Sequence, residues 1–521
     1  MTDTPEIPAW TFRSHWMSQT AGHAEMRPGE TALRFQGVDT TWRQLHDRSQ
    51  SFAGALRERG VGAGDRVALL TLNRPEFVEA VLGINALGAI AVPLNARLAP
   101  PEMALLVEDC GATVIVTEEL LAPLAAAVAA AAPGLATRIV MGEADGMESF
   151  EQLVEATAPI ELGDMPEESV ALIMYTSGTT GRAKGAMLTH QNLQLQALTC
   201  IRANDVFDES DVAFLTAPFF HIAGLGSMVA NFALGIPTVI HPLGAFDPAA
   251  VVDAWERERA TVVFNVPQQW QAICALPGIA ERDLVLRIIS WGAAPASETL
   301  LREMSEAFPN ATNVAVFGQT ETSPITCVLR GEDSLRKLGS VGRPIPTIQY
   351  RVVDDEMNDV PAGQVGEIVY RGPSVTRGYW DNPEATAQAF AGGWFHSGDL
   401  VRQDEEGFVW VVDRKKDMII SGGENIYSAE VENAVHAHPK VVEVAVVGRS
   451  DEQWGEVPVA YVGLVPGESL DLEELHEFLT TRIARFKLPK DLVVMDALPR
   501  NAGGKVLKND LRAGQAETVG A

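Results

Sequence analysis

Short apolar runs alternate with helix-like segments throughout the first three hundred or so residues of the chain. Helical patterns such as RPEFVEAVLGINALG, from Arg74, and AAVVDAWERER, from Ala249, lie between the runs. Buried strands interleaved with helices indicate layers of helices around mostly parallel sheets. The runs that predict buried strands begin near Arg66, Ala112, Val170, Thr261 and Leu286.

After about residue 340 the pattern changes to shorter strands, such as IQYRVV, GEIVYR and GFVWVVD, separated by Gly, Pro and Asp turns. The charged run DRKKD, residues 413–417, then precedes helices expected from Ser428 and Leu472 and the strands VVEVAVV, VPVAYV and DLVVM. With 521 residues the chain is too long for one core. We therefore expect an α/β fold. Residues 1–413 would form a large N-terminal domain of layered α/β subdomains plus a β-rich subdomain, and residues 414–521 a small α+β domain.

The formal net charge of −29, from 40 basic and 69 acidic residues, repels nucleic acid and anionic lipid alike. Neither is expected as a partner. No apolar run is long enough to span a bilayer, and the alanine-rich segment from Leu120 is interrupted by Pro123, so it predicts a surface or half-buried helix. The oligomeric state stays open, with a homodimer as one candidate.

The cysteines lack the CxxC spacing of zinc or redox sites, and the N-terminus lacks the apolar core of a secretory signal. Both observations favour a reducing compartment, and we expect a cytoplasmic protein. The four cysteines are Cys110, Cys200, Cys274 and Cys327.

The segment YTSGTTGRAKG, residues 175–185, directly follows a predicted buried strand. Backbone N–H groups of a glycine-rich turn can converge on anionic oxygens, and hydroxyls and a lysine add further donors and charge. The Walker spacing is absent, because Gly178 and Gly181 are three residues apart and Lys184 precedes Gly185 instead of Ser or Thr. An ordinary turn-rich loop is the plainer interpretation, but the hydroxyl density and the lysine favour phosphate contact. The predicted phosphate-binding residues are Thr176, Ser177, Gly178, Thr179, Thr180, Gly181 and Lys184.

The stretch SGTTGRAKG resembles the signature of the adenylate-forming superfamily, which contains acyl-CoA synthetases, adenylation domains of peptide synthetases and luciferases. Ala183 stands where that signature usually has proline. The resemblance extends over essentially the whole chain and is strongest to bacterial fatty-acid–CoA ligases. The further motifs that carry it, in chain order, are APFFHIAGLG, SWGAAP, FGQTET, WFHSGDL, DRKKD, SGGENIYSAEVE and PRNAGGKVLK.

The resemblance implies that the chain binds ATP with Mg²⁺. Phe317, in place of the usual tyrosine, would stack on adenine, and losing the hydroxyl would remove one hydrogen bond. Asp399 would accept both ribose hydroxyls, and Arg414 would approach the ribose or a phosphate. An aromatic core residue, a turn aspartate and a solvated arginine are the plainer interpretations. The other implied nucleotide contacts are Gly292, Ala293, Ala294, Pro295, Gly318 and Gln319.

Four residues are implied in catalysis. Glu321 is a hard oxygen ligand suited to Mg²⁺, and Thr320 would bond the α-phosphate. Lys505, in the glycine-rich loop NAGGK, would stabilise negative charge while a carboxylate attacks the α-phosphate. His221 would position the acid, although a histidine after an apolar segment is often a core residue.

The resemblance also implies a mobile C-terminal domain that rotates about a hinge at Lys416. After that rotation, Gly422 and Gly423 would let the pantetheine of coenzyme A pass close to the backbone. A charged linker and a turn are the plainer interpretations. Basic residues of this domain could meet the CoA phosphates or solvate a helix end: Arg485, Lys487, Lys490 and Lys508.

The segments expected to wall the acyl pocket contain no Asp, Arg or Lys to pair a second substrate charge. Gly224 and Gly226 could leave room for a chain, while Trp291 could shorten it. We expect ATP-dependent activation of a hydrophobic monocarboxylic acid to an acyl-adenylate with release of pyrophosphate, then transfer to coenzyme A giving acyl-CoA and AMP. An amide ligase that passes the acyl group to an amino acid or amine stays open, as does a catalytically silent acyl- or nucleotide-binding relative. The predicted pocket residues are Phe220, His221, Gly224, Val266 and Trp291.

Overall fold

The computed structural model describes residues 8–176, 183–203, 210–294, 296–422, 424–451, 453–500 and 506–518. The chain forms two compact units. The first unit comprises Met1–Tyr350 and Tyr370–Phe395, and the second comprises Arg351–Val369 and His396–Ala521.

The α-helices are α1 (Trp16–Met26), α2 (Trp42–Glu58), α3 (Pro75–Ala86), α4 (Pro100–Cys110), α5 (Ala122–Ala131), α6 (Phe150–Ala156), α7 (His190–Ala203), α8 (Ile222–Leu234), α9 (Pro248–Glu258), α10 (Pro267–Cys274), α11 (Glu298–Ala307), α12 (Gly331–Ser334), α13 (Pro383–Ala389), α14 (Ser428–His436), α15 (Leu472–Leu479) and α16 (Lys508–Thr518). Short 3₁₀ turns lie at Ala9–Phe12, Glu119–Leu121, Ile279–Glu281, Thr320–Thr322, Ala391–Gly393 and Arg485–Lys487.

The strands are β1 (Thr31–Phe35), β2 (Val38–Thr41), β3 (Arg66–Leu70), β4 (Ile90–Pro93), β5 (Val114–Glu118), β6 (Thr137–Met141), β7 (Glu148–Ser149), β8 (Val170–Thr176), β9 (Lys184–Thr189), β10 (Ala213–Leu215), β11 (Thr238–Ile240), β12 (Val262–Asn265), β13 (Ile288–Gly292), β14 (Thr312–Gly318), β15 (Ile325–Leu329), β16 (Arg343–Pro344), β17 (Gln349–Val353), β18 (Val365–Arg371), β19 (Phe395–Gln403), β20 (Val409–Arg414), β21 (Ile419–Ser421), β22 (Glu424–Ile426), β23 (Val441–Asp451), β24 (Gly455–Leu464) and β25 (Asp491–Val494).

Two large sheets organise the first unit. One has the strand order β7-β6-β5-β3-β4-β8-β9, and the other has the order β16-β15-β14-β13-β12-β10-β11-β1-β2. Their central strands run parallel. Antiparallel strands lie at both edges of the nine-stranded sheet and at the β9 edge of the seven-stranded sheet. Strands buried on both faces are near-continuous apolar runs, which is why RVALL forms β3 with four successive buried residues.

Local signals explain where several helices begin and end. Thr41 and Gln44 form a reciprocal capping box at the start of α2. Helices α3, α4, α9, α10 and α13 open with a proline in the first turn, where the missing N–H has no helical partner to lose. Helices α4 and α8 end at Gly111 and Gly235, each in the left-handed conformation that glycine adopts without strain.

The second unit contains a four-stranded sheet, β17-β18-β19-β20, and a C-terminal sheet with the order β22-β21-β24-β23, in which β25 pairs with β24. Helices α14 and α15 pack on the C-terminal sheet through a cluster that includes Val431, Val435, Val446 and Leu475, all fully buried. Burying such side chains supplies most of the stabilisation of a domain of this size.

The predicted fold class is confirmed: layered α/β sheets in a large N-terminal region precede a β-rich sheet and a small α+β C-terminal region. Each expected strand and helix named above is present, including the alanine-rich helix α5. The domain boundary predicted at residue 414 falls inside the second unit, so rotation about Lys416 stays a proposal. Within the described ranges, no helix is long and apolar enough to cross a membrane.

Candidate active site

The carboxyl ends of the parallel strands β10, β12, β13 and β14 lie along one edge of the nine-stranded sheet. Open α/β sheets bind ligands outside this edge. Residues that sequence analysis predicts for the acyl and adenine sites lie at this edge. His221 lies between β10 and α8, Val266 directly follows β12, Ala293 and Ala294 directly follow β13, and Phe317 and Gly318 end β14. The topology therefore assembles motifs that are spread over about a hundred residues.

Two glycines of this edge are required by close backbone approach. A Cβ on Gly292 would lie 2.4 Å from the carbonyl oxygen of Val316, and one on Gly318 would lie 1.8 Å from that of Pro324. Ala293 has a positive φ of 66°, a backbone conformation that residues other than glycine rarely adopt. Such strain is retained where surrounding structure enforces it, as at ligand sites.

Glu321 lies in the 3₁₀ turn Thr320–Thr322 and is 7% exposed. Its Oε1 accepts hydrogen bonds from Tyr379 Oη at 3.1 Å and from Thr176 Oγ1 at 3.4 Å. The turn begins at Gln319, whose backbone N–H donates to Thr322 Oγ1 at 3.2 Å. The structure thus fixes the predicted metal ligand in a buried, hydrogen-bonded position next to Thr320.

The last residue of β8 and the first residue of β9 flank the predicted phosphate loop, because Thr176 pairs with Lys184 in an antiparallel register. The described residues on both sides of the loop therefore belong to a strand pair, whereas the loop of P-loop enzymes leads from a strand into a helix. Outside the described residues lie the predicted site residues Ser177, Gly178, Thr179, Thr180, Gly181, Pro295, Gly423 and Lys505.

Tyr379 was missed by sequence analysis. It is 9% exposed, donates to Glu321, and places its ring centroid 5.1 Å from Lys184 Nζ. Burial raises the pKa of Tyr379, and the Glu321 carboxylate raises it further. The phenol therefore stays a hydrogen-bond donor at physiological pH. Nothing in the segment RGYW signals this contact, because Glu321 lies 58 residues earlier in the chain.

The predicted acyl-pocket residues have different surroundings. Phe220 is buried against the half-buried His221 ring at a centroid distance of 4.8 Å. A Cβ on Gly224 would lie 2.6 Å from the carbonyl oxygen of Pro218, so backbone already fills the space that was expected to admit a chain. The lining role of Gly224 stays a prediction.

Gly226 and Trp291, also predicted to shape this pocket, both pack closely against other residues. A Cβ on Gly226 would meet Pro324 Cδ at 3.1 Å, so this glycine also serves packing. Trp291 is 7% exposed, and its indole N–H donates to Asn313 Oδ1 at 2.8 Å. The indole is therefore held rigidly, and whether it limits acyl length stays a prediction.

In the second unit, Asp399 and Arg414 face each other across the pair β19 and β20. Arg414 Nε lies 2.7 Å from Asp399 Oδ1, and Asp399 is 2% exposed. The structure brings together the two residues that were predicted to contact ribose. The guanidinium orients the carboxylate, which suits an acceptor of two hydroxyls.

The predicted hinge residue Lys416 is exposed within a turn in which the Asp417 N–H donates to the Arg414 carbonyl at 2.8 Å. Its neighbour Lys415 is anchored instead, with Nζ 3.1 Å from Glu367 Oε2 and 2.7 Å from Asp355 Oδ1. Burial lowers the pKa of Lys415, but the two carboxylates outweigh it, so the net shift is upward.

Gly422 has a positive φ of 59° and lies beside Trp454, a residue that sequence analysis missed. A Cβ on Gly422 would lie 2.8 Å from the indole ring, and the Gly422 N–H donates to the Trp454 carbonyl at 2.7 Å. The glycine therefore leaves space that the half-exposed indole occupies.

Two of the four basic residues considered for the CoA phosphates are held in ion pairs. Lys487 Nζ lies 2.6 Å from Glu430, and Lys508 Nζ lies 2.8 Å from Glu432. Lys508 also donates to Ser428 Oγ at 2.7 Å. Both lysines are thus paired with carboxylates of the C-terminal region, and contact with the CoA phosphates stays a prediction.

Mg²⁺ usually keeps several waters and binds through one or two carboxylates plus substrate phosphates. Among the described residues, no group of three or more His, Cys, Asp and Glu could hold a metal by itself. Glu321, a single buried carboxylate beside the phosphate loop, fits a metal that arrives with a polyphosphate.

The chain matches the family described as AMP-binding enzyme over residues 21–380, and the AMP-binding enzyme C-terminal domain over residues 430–505. It is 40% identical over 503 residues to an indoleacetate–CoA ligase of Aromatoleum aromaticum, covering 96% of this chain and 97% of that protein. A feruloyl-CoA synthase of an Amycolatopsis species is 42% identical, covering 94% of this chain and 96% of that protein. The o-succinylbenzoate CoA synthetase of Bacillus subtilis, solved with its acyl-adenylate intermediate, superposes with a TM-score of 0.85 at 31% identity, covering 96% of this chain and 98% of that one.

Two family matches that together span most of the chain, and relatives above 30% identity over nearly its full length, agree with the motif order and the sheet-edge geometry. The chain belongs to the AMP-binding enzyme family, the adenylate-forming superfamily, and is an AMP-forming acid–CoA ligase.

Proposed function

We propose that the chain activates a hydrophobic monocarboxylic acid, with an aryl acid as the first choice, and transfers the acyl group to coenzyme A. As an AMP-forming acid–CoA ligase it uses ATP with Mg²⁺ and CoA. The observation that carries the proposal is the contact of Thr176 with Glu321. At 3.4 Å it joins the end of the phosphate-loop strand to the predicted metal ligand, 145 residues later in the chain.

The first half-reaction forms a mixed anhydride. A carboxylate oxygen of the acid attacks the α-phosphorus, the bond from that phosphorus to the bridging oxygen breaks, and pyrophosphate leaves. Bound Mg²⁺ would neutralise charge on the polyphosphate. We assign Glu321 to hold that ion, Thr320 and Thr176 to donate to phosphate oxygens, and Lys184 to add positive charge.

Lys505, which lies outside the described residues, is assigned to the negative charge that develops on the α-phosphate. Asp399, held by Arg414 at 2.7 Å, is assigned to the ribose hydroxyls. His221 is assigned to the substrate carboxylate, because it precedes α8 at the ligand-binding edge of the sheet.

The second half-reaction forms the thioester. The CoA sulfur attacks the carbonyl carbon, the bond from that carbon to the AMP oxygen breaks, and the thiol proton passes to solvent. We propose that rotation near Lys416 brings the face around Gly422 to the acyl group. The turn at residues 414–417 supports this hinge, because Lys416 is exposed there and a turn can absorb a change in backbone angles.

The aryl choice rests on two lines of support. The indoleacetate–CoA ligase and the feruloyl-CoA synthase are named for aromatic acids. The segments expected to wall the acyl pocket, APFFHIAGLGSM and FNVPQQWQAI, carry no Asp, Arg or Lys, so a second charged group on the acid would lack a partner.

The test is acid-dependent exchange of pyrophosphate into ATP, with a panel of indole, phenylpropenoid, benzoic and fatty acids of several lengths. We expect the highest kcat/KM for an aryl acid, and AMP release that depends on CoA and not on amino acids. Highest activity with fatty acids would overturn the aryl choice alone. No exchange with any acid would favour a catalytically silent relative, and AMP release driven by amines would favour an amide ligase.

A further inference from the structure

The segment Ser374–Trp380, between β18 and α13, runs beside β9, the strand that begins with Lys184. Ala186 and Tyr379 form an antiparallel bridge. On either side of it, the Met187 N–H donates to the Gly378 carbonyl at 3.0 Å, and the Trp380 N–H donates to the Gly185 carbonyl at 2.7 Å. The backbone of Tyr379 is therefore fixed to the strand that leaves the phosphate loop.

The same segment also holds the main chain of the metal-ligand turn. The Thr376 N–H donates to the Glu321 carbonyl at 2.7 Å, and Thr376 Oγ1 donates to the Met187 carbonyl at 2.6 Å. Glu321 and β9 are thus tied to one short piece of chain, and movement of that piece would displace both.

The Tyr379 side chain contacts both functional groups directly. Its hydroxyl donates to Glu321 Oε1 at 3.1 Å, and its ring centroid lies 5.1 Å from Lys184 Nζ, within the range of a cation–π contact. Among the described residues, both side-chain donors to this carboxylate go to Oε1, namely Tyr379 and Thr176. Donors on one carboxylate oxygen fix the rotation of the group and leave the other oxygen for a cation.

We propose that Tyr379 is a positioning residue for nucleotide binding and adenylation. Its hydroxyl sets the orientation of the Glu321 carboxylate toward Mg²⁺, and its ring sets the position of the Lys184 ammonium toward the phosphates. The proposal rests on the roles given above to Glu321 and Lys184.

The experiment measures ATP binding by calorimetry at a series of Mg²⁺ concentrations and needs no organic acid. Tyr379→Phe removes the hydroxyl and keeps the ring. A lost hydrogen bond to a charged group predicts that the Mg²⁺ concentration for half-maximal ATP binding rises about ten- to a hundredfold. The matched control is Tyr370→Phe, which removes a buried hydroxyl of the same unit that bonds to Thr326 Oγ1 at 3.1 Å, and it should leave Mg²⁺ dependence unchanged.

A double-mutant cycle separates positioning from a general structural role. In the Glu321→Gln background, adding Tyr379→Phe should change the Mg²⁺ dependence less than twofold, because the ligand that Tyr379 orients is already gone. A second variant, Tyr379→Leu, also removes the ring facing Lys184 and should weaken ATP binding further at saturating Mg²⁺.

Unchanged Mg²⁺ dependence in Tyr379→Phe would overturn the proposal, and so would an equal effect in both Glu321 backgrounds, which would indicate a structural role. The proposed reaction is tested separately by the acid panel. Wild-type chain that binds Mg²⁺ and ATP but exchanges no pyrophosphate would overturn the reaction and leave the positioning result valid. Wild-type chain that binds no ATP would overturn both.

Discussion

Replacing Lys508 with methionine tests whether this lysine holds the C-terminal fold or meets CoA. Lys508 Nζ lies 2.8 Å from Glu432 Oε1 and donates to Ser428 Oγ at 2.7 Å. Ser428 Oγ in turn donates to Asp413 Oδ1 at 3.1 Å, so one cation links the start of α16 to the start of α14 and the end of β20. Methionine keeps the length of the side chain and removes the charge.

The size of the expected stability loss follows from how far the two side chains are buried. The side chains of Lys508 and Glu432 are 18% and 22% exposed. Removing one partner of a fully buried pair costs about 3–5 kcal/mol, whereas an exposed pair contributes about 0–1 kcal/mol. For a pair at this intermediate exposure, we expect Lys508→Met to lower the free energy of unfolding of the second unit by about 2–3 kcal/mol.

The loss of unfolding free energy in Lys508→Met should depend on pH. Burial raises the pKa of Glu432, and Lys508 opposes that rise, so losing the ammonium raises the pKa further. A carboxyl whose pKa is higher in the folded chain binds its proton more tightly there, and its contribution to stability is lost as the pH rises through the folded-state pKa. The destabilisation should therefore be larger at about pH 8 than at about pH 5.

Native-state hydrogen exchange of the amides in α14 and α16 measures this effect, because a chain of two units need not unfold in a single step. Lys490→Met, at an exposed position, is the control and should change stability by less than about 0.5 kcal/mol. If Lys508→Met left amide protection unchanged and instead raised the KM for CoA, Lys508 would be a CoA contact and the structural reasoning would be refuted.

Three further predictions concern the first unit. Gly318→Ala should lower pyrophosphate exchange about 100-fold, since a Cβ 1.8 Å from the Pro324 carbonyl oxygen must displace the segment that carries Glu321; wild-type exchange rates would contradict this. Burial lowers the pKa of His190 to about 3, so the unfolded chain binds the extra proton and stability falls below about pH 6.5 by up to about 1.4 kcal/mol per pH unit. In urea unfolding, the stability of His190→Leu should fall less steeply with decreasing pH than that of wild type. An equal pH dependence would contradict the assignment of this effect to His190. Gly224→Ala should lower the melting temperature of the chain without ligand, because its Cβ would lie 2.6 Å from the Pro218 carbonyl; an unchanged melting temperature with a changed acid-length preference would restore the pocket explanation.

Most strands and helices of the fold could be predicted from short stretches of sequence. RVALL, VALIMYT and TVVFNV became β3, β8 and β12, because strands buried on both faces need continuous apolar runs. The segment RPEFVEAVLGINALG became α3, which opens at Pro75. The grouping of the four-stranded sheet with the C-terminal region was not readable, because it depends on contacts between segments far apart in sequence.

The residues of the candidate site likewise include some that could be predicted from sequence and some that could not. Motif residues such as Thr176, Glu321 and Asp399 were found because their chemistry and local turns are encoded in short stretches of sequence. Tyr379 and Trp454 were missed, because each acts on a residue in another segment and the local pattern around it carries no sign of that partner.

The strands, the helices, the motif order and hence the class of chemistry depend on side-chain type and on near neighbours along the chain, so they could be predicted before the fold was known. Two contacts became visible in the folded chain alone: Thr176 and Tyr379 both donate to one oxygen of Glu321, and Lys508 forms an ion pair with Glu432. Hydrogen bonds act over about 3 Å, and the folding of the chain brings residues 58 and 145 positions apart in sequence close to that distance.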